Sequence, residues 1–351
     1  MVSLLDVVKG YLSSLMAVLT MLFIRPIVPP KLPKYAEDLD LHKKRVIITG
    51  ATGGIGKELV LFYASHGAEV FLLCRSEEKG NKAKADVQAM AANENIFVEV
   101  VDNSSLASVN AFLKKWAKKS PSERRIDIIH NNAGGTHAKK KTTEDGFEST
   151  YQSNFLSAFL LTTSLLNMGA IAPDARIIQT CSTAAFTPNG PSPSYLNSED
   201  VLGKVQEGGK LSLAGASSLI YGRAKAVQWV WTNILQEKLT KTEKYKDVVV
   251  QCCHPGWVAT GFWTDPSGVA AHPYLAKLCS VIGAAIGTTP AQGAVTPIFL
   301  ATSARASEPE NRGKFWDTFG WRWAPGWMTD EQLRDGFWKK WQSDAGVQVG
   351  F

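Results

Sequence analysis

The sequence predicts an α/β protein with a doubly wound parallel sheet. Three observations carry this reading: short β-branched runs alternate with longer amphipathic ones, six such runs recur between residues 45 and 253, and a glycine-rich turn follows the first. The runs are RVIIT (45–49), AEVFLLC (68–74), IFVEVV (96–101), IDIIHN (126–131), ARIIQT (175–180) and DVVVQCC (247–253). Helical stretches separate them. In IGKELVLFYASHG, for example, Leu59, Phe62, Tyr63 and His66 mark one face and Gly67 suits a C-cap. The 351 residues, 45% hydrophobic, suit one large domain with appendages. Residues 44–304 read as that domain, 31–43 as a linker and 305–351 as a Trp-rich C-terminal extension. Residues 187–216, rich in Pro, Gly and Ser and without a sustained period, read as an insertion forming a loop on the active-site rim.

The formal charge of +6 is dispersed in clusters such as KKR (43–45) and KKK (139–141), with no aromatic-interleaved basic stripe, so no nucleic-acid partner is expected. Cys74, Cys181, Cys252, Cys253 and Cys279 lie mostly in apolar runs without CxxC spacing. They read as reduced core thiols facing a cytosolic environment, with neither a zinc site nor a disulfide framework. Residues 1–30 differ from the rest. GYLSSLMAVLTMLFI (10–24) is uncharged for 15 residues, and a helix of that length covers about 22 Å against a bilayer core of about 30 Å. With residues 4–8 joined to it, the segment becomes a candidate membrane anchor; a helix docked on the protein's own surface is the other reading. A signal peptide fits poorly. If the segment spans, Lys31, Lys34 and the 43–45 cluster favour a cytosol-facing catalytic domain, for instance on the endoplasmic reticulum. A cytoplasmic location is the alternative.

The turn TGATGGIG (49–56) places Gly50, Gly54 and Gly56 between strand and helix. Glycines there allow close approach of backbone N–H groups to a pyrophosphate at the positive helix N-terminus. Thr52 and Ile55 belong to the same turn. At the end of the second run, CRS puts Cys74 where a ribose-binding acid would stand, and Arg75 follows. A guanidinium can grip a 2′-phosphate with paired hydrogen bonds, which favours NADP(H) over NAD(H).

SLIYGRAKAVQ (218–228) sets Tyr221 and Lys225 four apart, on one face of a helix. With the glycine turn, DNSS (102–105), NNAG (131–134) and this pair in chain order, the sequence resembles the short-chain dehydrogenase/reductase family from about Lys43 to Ala304. It looks closest to the NADP-preferring, retinol-dehydrogenase-like branch, by CRS, VDNSSLASV, SNFLSAFLLT and HPGWVAT. That resemblance implies a Rossmann-type fold and a catalytic tetrad of Asn154, Ser182, Tyr221 and Lys225. It also implies that Asp102 faces the adenine, that Asn132, Ala133 and Gly134 line the cofactor, and that Lys225 bonds the nicotinamide ribose. In HPGWVATGFW (254–263), Pro255, Val258 and Thr260 would border the nicotinamide and diphosphate.

Reducing a carbonyl delivers hydride to carbon and a proton to oxygen, so a donor must stand within hydrogen-bond reach of that oxygen. Tyr221 is the expected acid and base. Its ordinary pKa of about 10 would be lowered by the charges of Lys225 and the oxidised nicotinamide. Ser182 would donate to the carbonyl oxygen. Asn154 would hold a water linking Lys225 to solvent. Tyr195 lies nearer Ser182 in sequence, but Glu199 follows it at the fourth position in a segment poor in helix formers, and no tyrosine except Tyr221 has lysine at +4. His254 is expected to be structural.

Eight of the eleven tryptophans fall between Trp257 and Trp341, which reads as packing with partial lining of a lipophilic pocket. The expected activity is NADP(H)-dependent interconversion of a lipophilic ketone or aldehyde with its alcohol, the substrate being retinoid- or steroid-like or an intermediate of terpenoid or polyketide specialised metabolism. A homo-oligomer is compatible with this reading. The rival, an NADP-binding scaffold or sensor without turnover, sits badly with an intact tetrad.

Overall fold

The computed structural model describes residues 4–186, 218–260, 277, 281 and 287–351. Eight strands form one sheet: β1 (Arg45–Thr49), β2 (Glu69–Cys74), β3 (Ile96–Val100), β4 (Ile126–Asn131), β5 (Ile171–Thr180), β6 (Val249–His254), β7 (Phe315–Asp317) and β8 (Gly320–Arg322). Their order is β3-β2-β1-β4-β5-β6-β7-β8, parallel throughout except for the β7–β8 hairpin. Winding reverses between β1 and β4, so the connections leaving their carboxyl ends diverge and open a crevice there.

Strand alternation sends Ile47, Ile129 and Ile177 to one face of the sheet and Val46, Ile48, Ile128 and Ile178 to the other. The first face is covered by α4 (Leu106–Ala117), α5 (Ser157–Asn167) and α6 (Ser218–Thr240), and the second by α2 (Gly54–Ser65), α3 (Glu77–Ala91) and α7 (Pro290–Thr302). Burial on both faces explains why the strands read as near-continuous apolar runs. α2 follows its sequence pattern at Leu59, Phe62 and Tyr63, which are buried, but its C-cap is His66, and Gly67 stands one residue beyond it at φ +82°.

The six expected strands are all present, and β5 starts four residues before the predicted run, at Ile171. β7 and β8 were not foreseen. At three residues each they are too short to show a period, and β7 is defined by its partner: Cys252, Cys253 and His254 pair with Phe315, Trp316 and Asp317. The Trp-rich tail thus supplies part of the sheet as well as a final helix, α8 (Glu331–Ala345), whose Trp341 stacks on Phe337 and meets Phe155 at 4.9 Å.

The N-terminal segment folds as α1 (Leu4–Leu19), continued by a π-helical turn (Thr20–Ile24), and lies against β8 and the turn at Gly326–Thr329. No described helix is long and apolar enough to cross a membrane. Gly10 packs on Pro325, Ser13 Oγ accepts from Trp323 N at 2.9 Å, and Thr20 Oγ1 accepts from Arg322 at 3.1 Å. The docked face is therefore small and hydroxylic. The opposite face exposes Leu5, Leu12, Leu15 and Phe23, each more than half accessible.

Candidate active site

A cleft of about 430 Å³ opens at the carboxyl ends of β1, β4, β5 and β6. One wall is the turn between β1 and α2. Gly50 holds φ +65° and Gly54 φ +52°, backbone conformations that favour glycine. A Cβ on Gly56 would collide with the Gly50 carbonyl, and one on Gly54 would stand 2.9 Å from Thr260 Cγ2, so the turn closes tightly only because side chains are absent. The first amides of α2 have no intrahelical acceptor and carry the positive end of the helix dipole.

The opposite wall carries the polar side chains. Ser182 follows β5 and caps a short 3-10 turn, its Oγ accepting from Ala184 N at 3.2 Å. Tyr221 and Lys225 sit one turn apart near the start of α6, and both line the cleft together with Ser182. Lys225 is buried, donates from Nζ to the Thr180 carbonyl at 2.9 Å, and lies 5.6 Å from the centre of the Tyr221 ring. Burial disfavours its ammonium and lowers its pKa to about 8.

Burial also dominates at Tyr221. It pushes the phenol above its ordinary value, against the smaller opposing effect of the Ser182 hydroxyl. The expected lowering by Lys225 is therefore not achieved by the protein's own groups, because desolvation of a phenolate outweighs them.

Asn154 lies in a π-helical turn (Gln152–Leu156) that leads into α5. Its Nδ2 donates to the carbonyls of Thr150 and Gly135, both at 2.8 Å, and its Oδ1 accepts from Gly135 N at 3.0 Å. A Cβ on Gly134 would stand 2.6 Å from Asn154 Oδ1 and 3.1 Å from Lys225 Nζ, so Asn154 and Lys225 flank one backbone position. Both donors of the Asn154 amide are committed to carbonyls, and a water there would bond to the second lone pair of Oδ1.

Gly50, Thr52, Gly54, Ile55, Asn132, Ala133, Gly134, Ser182, Tyr221, Lys225, Pro255, Val258 and Thr260 all line this one cleft. Gly56 stands behind it in α2, and Asn154 behind Gly134. Arg75 and Asp102 do not line it. Arg75 is exposed just beyond β2, and Asp102, just beyond β3, accepts from Ser104 N and Oγ at 2.8 and 2.7 Å. Tyr195 and Glu199, the insertion 187–216 and Cys279 lie outside the described residues.

Thr180, Cys181 and Gly256 also line the cleft and were not anticipated. The signal that could have found them is positional, since each stands at or just past the carboxyl end of a strand flanking the crevice. His254 lines it too. Burial, with Arg25 nearby, lowers its pKa to about 3, which keeps the imidazole neutral and suits a structural role.

The family described as short chain dehydrogenase matches residues 44–199. "Retinol dehydrogenase 14" of Mus musculus is 32% identical over 275 residues, covering 75% of each chain. The chain belongs to the short-chain dehydrogenase/reductase family. By that membership it is an oxidoreductase acting on CH–OH groups. "Retinol dehydrogenase 13" of Mus musculus is 33% identical over 217 residues, a match that spans 62% of this chain and 59% of that protein. Among solved structures, L-sorbose reductase from Gluconobacter frateurii, complexed with NADPH and L-sorbose, superimposes with a TM-score of 0.58 at 19% identity, over 80% of this chain and 97% of that one. At that identity the likeness speaks for the family's fold alone.

A dinucleotide fits the residues present: the glycine turn leaves space at the N-terminus of α2 that a Cβ would fill, and the crevice continues from there to Tyr221 and Lys225. The described residues contain no group of His, Cys, Asp and Glu placed to hold a metal ion.

Proposed function

We propose that the chain interconverts a lipophilic ketone or aldehyde and its alcohol with NADP(H), using Tyr221 as the proton donor and acceptor. The observation that carries this reading is the convergence of Ser182, Tyr221 and Lys225 at one end of a cleft whose other end is the glycine turn. NADPH supplies the hydride when bound. In this reading Ser182 Oγ and the Tyr221 hydroxyl, which line the same cleft, both reach the carbonyl oxygen, and Tyr221 gives it a proton. Lys225 holds its charge beneath the phenol, fixed by the Thr180 carbonyl, and stabilises the phenolate left behind. Asn154 fixes the Gly135 backbone and keeps Gly134 close to Lys225 Nζ. Arg75, exposed at the end of β2, would meet the 2′-phosphate, and Asp102 the adenine. Two names among the relatives, retinol dehydrogenases 13 and 14, support a lipophilic alcohol or carbonyl as substrate.

The reading extends to location. Residues 7–36 contain no acid and, besides the buried Arg25, three basic residues, Lys9, Lys31 and Lys34, and α1 turns large apolar side chains outward. A helix of this kind suits an anionic bilayer surface, lying in the interface rather than crossing it. The test of the catalytic reading is NADPH consumption with lipophilic aldehydes and ketones by the intact protein and by Tyr221→Phe. Turnover that depends on the hydroxyl supports it, and turnover that survives its removal rejects Tyr221 as the proton donor.

A further inference from the structure

We propose that Arg25, in the N-terminal arm, is a positioning residue for the cofactor site, bracing the turn after β6 from behind. Arg25 is only 2% exposed. Its Nη2 donates to the His254 carbonyl at 3.1 Å and to Asp317 Oδ1 at 2.9 Å. The other oxygen of Asp317 accepts from Arg322 at 2.7 Å, and Arg322 reaches back to Thr20 in the same arm. A charge trio, buried at Arg25 and Asp317 and partly buried at Arg322, thus joins the arm, the β7–β8 hairpin and the end of β6.

The trio is aimed at the cleft. His254, Pro255 and Gly256 line it, Gly256 holds φ +97°, and a Cβ there would collide with Nη1 of Arg25. The farther half of the loop is held separately: Ala259 N donates to the Thr288 carbonyl at 3.0 Å, and Thr288 N to the Trp257 carbonyl at 2.8 Å. Among the described residues, the nearer half is held by the pairing of His254 with Asp317 in β7, by the Gly256 N contact with His254 Nδ1 at 3.4 Å, and by Arg25, at Nη2 on one carbonyl and by contact on the glycine.

Burying a guanidinium costs several kcal/mol before pairing, and an apolar side chain would pin an arm to a hairpin without that cost. The arrangement makes sense where a donor must fix a carbonyl at a defined position. Arg25 does not line the cleft and acts only through the turn.

This inference rests on the dinucleotide reading of the cleft. The experiment uses the full-length protein and measures the NADPH dissociation constant by fluorescence, kcat and KM with a reducible aldehyde, and the melting temperature, for wild type, Arg25→Met, Arg25→Lys and Arg322→Met. Arg25→Met is expected to weaken NADPH binding about tenfold, with kcat at saturating cofactor within about twofold, and Arg25→Lys to recover part of the loss. Arg322→Met, which breaks the trio but leaves Arg25 on the turn, is expected to lower the melting temperature while NADPH binding stays within about twofold.

The proposal is overturned if Arg25→Met binds NADPH as wild type does, or if Arg322→Met weakens binding equally, since arm docking would then be the whole effect. Should Arg25→Met fail to fold, hydrogen exchange on wild type decides. NADPH is expected to slow exchange at residues 22–28 as well as 254–260, and protection confined to 254–260 overturns the proposal. Wild type that binds no NADPH removes the dinucleotide reading, and this proposal with it, before any variant is made.

Discussion

At β1 the wall of the cleft is finished locally, by a turn in which Gly50, Gly54 and Gly56 lie within seven residues of one another. At β6 the corresponding wall is finished by the two ends of the chain: the His254 carbonyl accepts from Arg25, 229 positions earlier, and β6 pairs with β7 from the C-terminal tail. The two walls face the same cleft and are specified differently. The first depends on what glycine permits in the backbone, with Ala133 and Thr260 packed closely on it. The second depends on a buried ion pair and a three-residue strand, each with its partner far along the chain.

The largest expected effect belongs to the polar residues between the walls. Tyr221→Phe should lower carbonyl reduction by about 10²- to 10⁴-fold, the range ascribed to a positioned general acid, while NADPH binding changes little. Steady-state NADPH oxidation together with equilibrium binding checks both halves. A Tyr221→Phe enzyme with more than a tenth of wild-type turnover would move the proton donor elsewhere and leave the two walls enclosing a different chemistry.

Next is a pH dependence. Burial lowers the pKa of Lys225 to about 8 and raises that of Tyr221. Reduction needs the phenol protonated and Lys225 charged. The raised phenol stays protonated throughout the neutral range, so loss of the Lys225 charge sets the upper limit. The reduction rate should hold up to about pH 7, fall by half near pH 8 and decline about tenfold per unit beyond. In Lys225→Met the rate should be low and this inflection absent. A rate that holds through pH 8 and falls only above pH 10 would instead assign control to the phenol.

What the sequence revealed follows the same division. The strand runs, the glycine turn and the Tyr221–Lys225 pair are local: each needs only strand alternation, backbone freedom or one helical turn to be recognised, and all are where they were expected. β7 and β8 were invisible because Phe315–Asp317 and Gly320–Arg322 are too short to carry a period. Arg25 reads in sequence as the basic end of an apolar segment. Nothing nearby announces that Asp317 awaits it. The rise of the Tyr221 pKa was missed for a related reason, since desolvation depends on how closely the whole domain encloses the phenol, whereas the Lys225 charge could be seen one turn away. The six tail tryptophans, Trp316 to Trp341, were legible as packing residues but not as neighbours of α5: Phe159 meets Trp338 at 5.5 Å and Trp341 at 6.0 Å.

Smaller effects are expected at the rim of the first wall. Arg75→Ala should reduce the preference for NADPH over NADH by about 10- to 100-fold, the worth of one or two charge-assisted hydrogen bonds, with kcat on NADPH nearly unchanged at saturation. The comparison is kcat/KM for the two cofactors. Because Arg75 is exposed and outside the lined cleft, an unchanged ratio would mean that the 2′-position is read by other groups.

The smallest catalytic effect should come from the far side of the second wall, where α1 presents Leu12 and Leu15 outward, 52% and 54% exposed. Leu12→Glu combined with Leu15→Glu adds two acids to a face that carries none, and leaves Gly10, Ser13, Ala17 and Thr20 in place against the protein. Turnover of a water-soluble aldehyde should stay within about twofold, because the docked face and Arg25 are untouched. Co-sedimentation with vesicles containing anionic phospholipid should fall sharply, since both apolar burial and charge attraction are lost. Unchanged vesicle binding would show that the outward apolar stripe is not the membrane contact. A large loss of turnover alongside it would show that the outer face of α1 is coupled to the cleft, and that the arm does more for the second wall than hold Arg25.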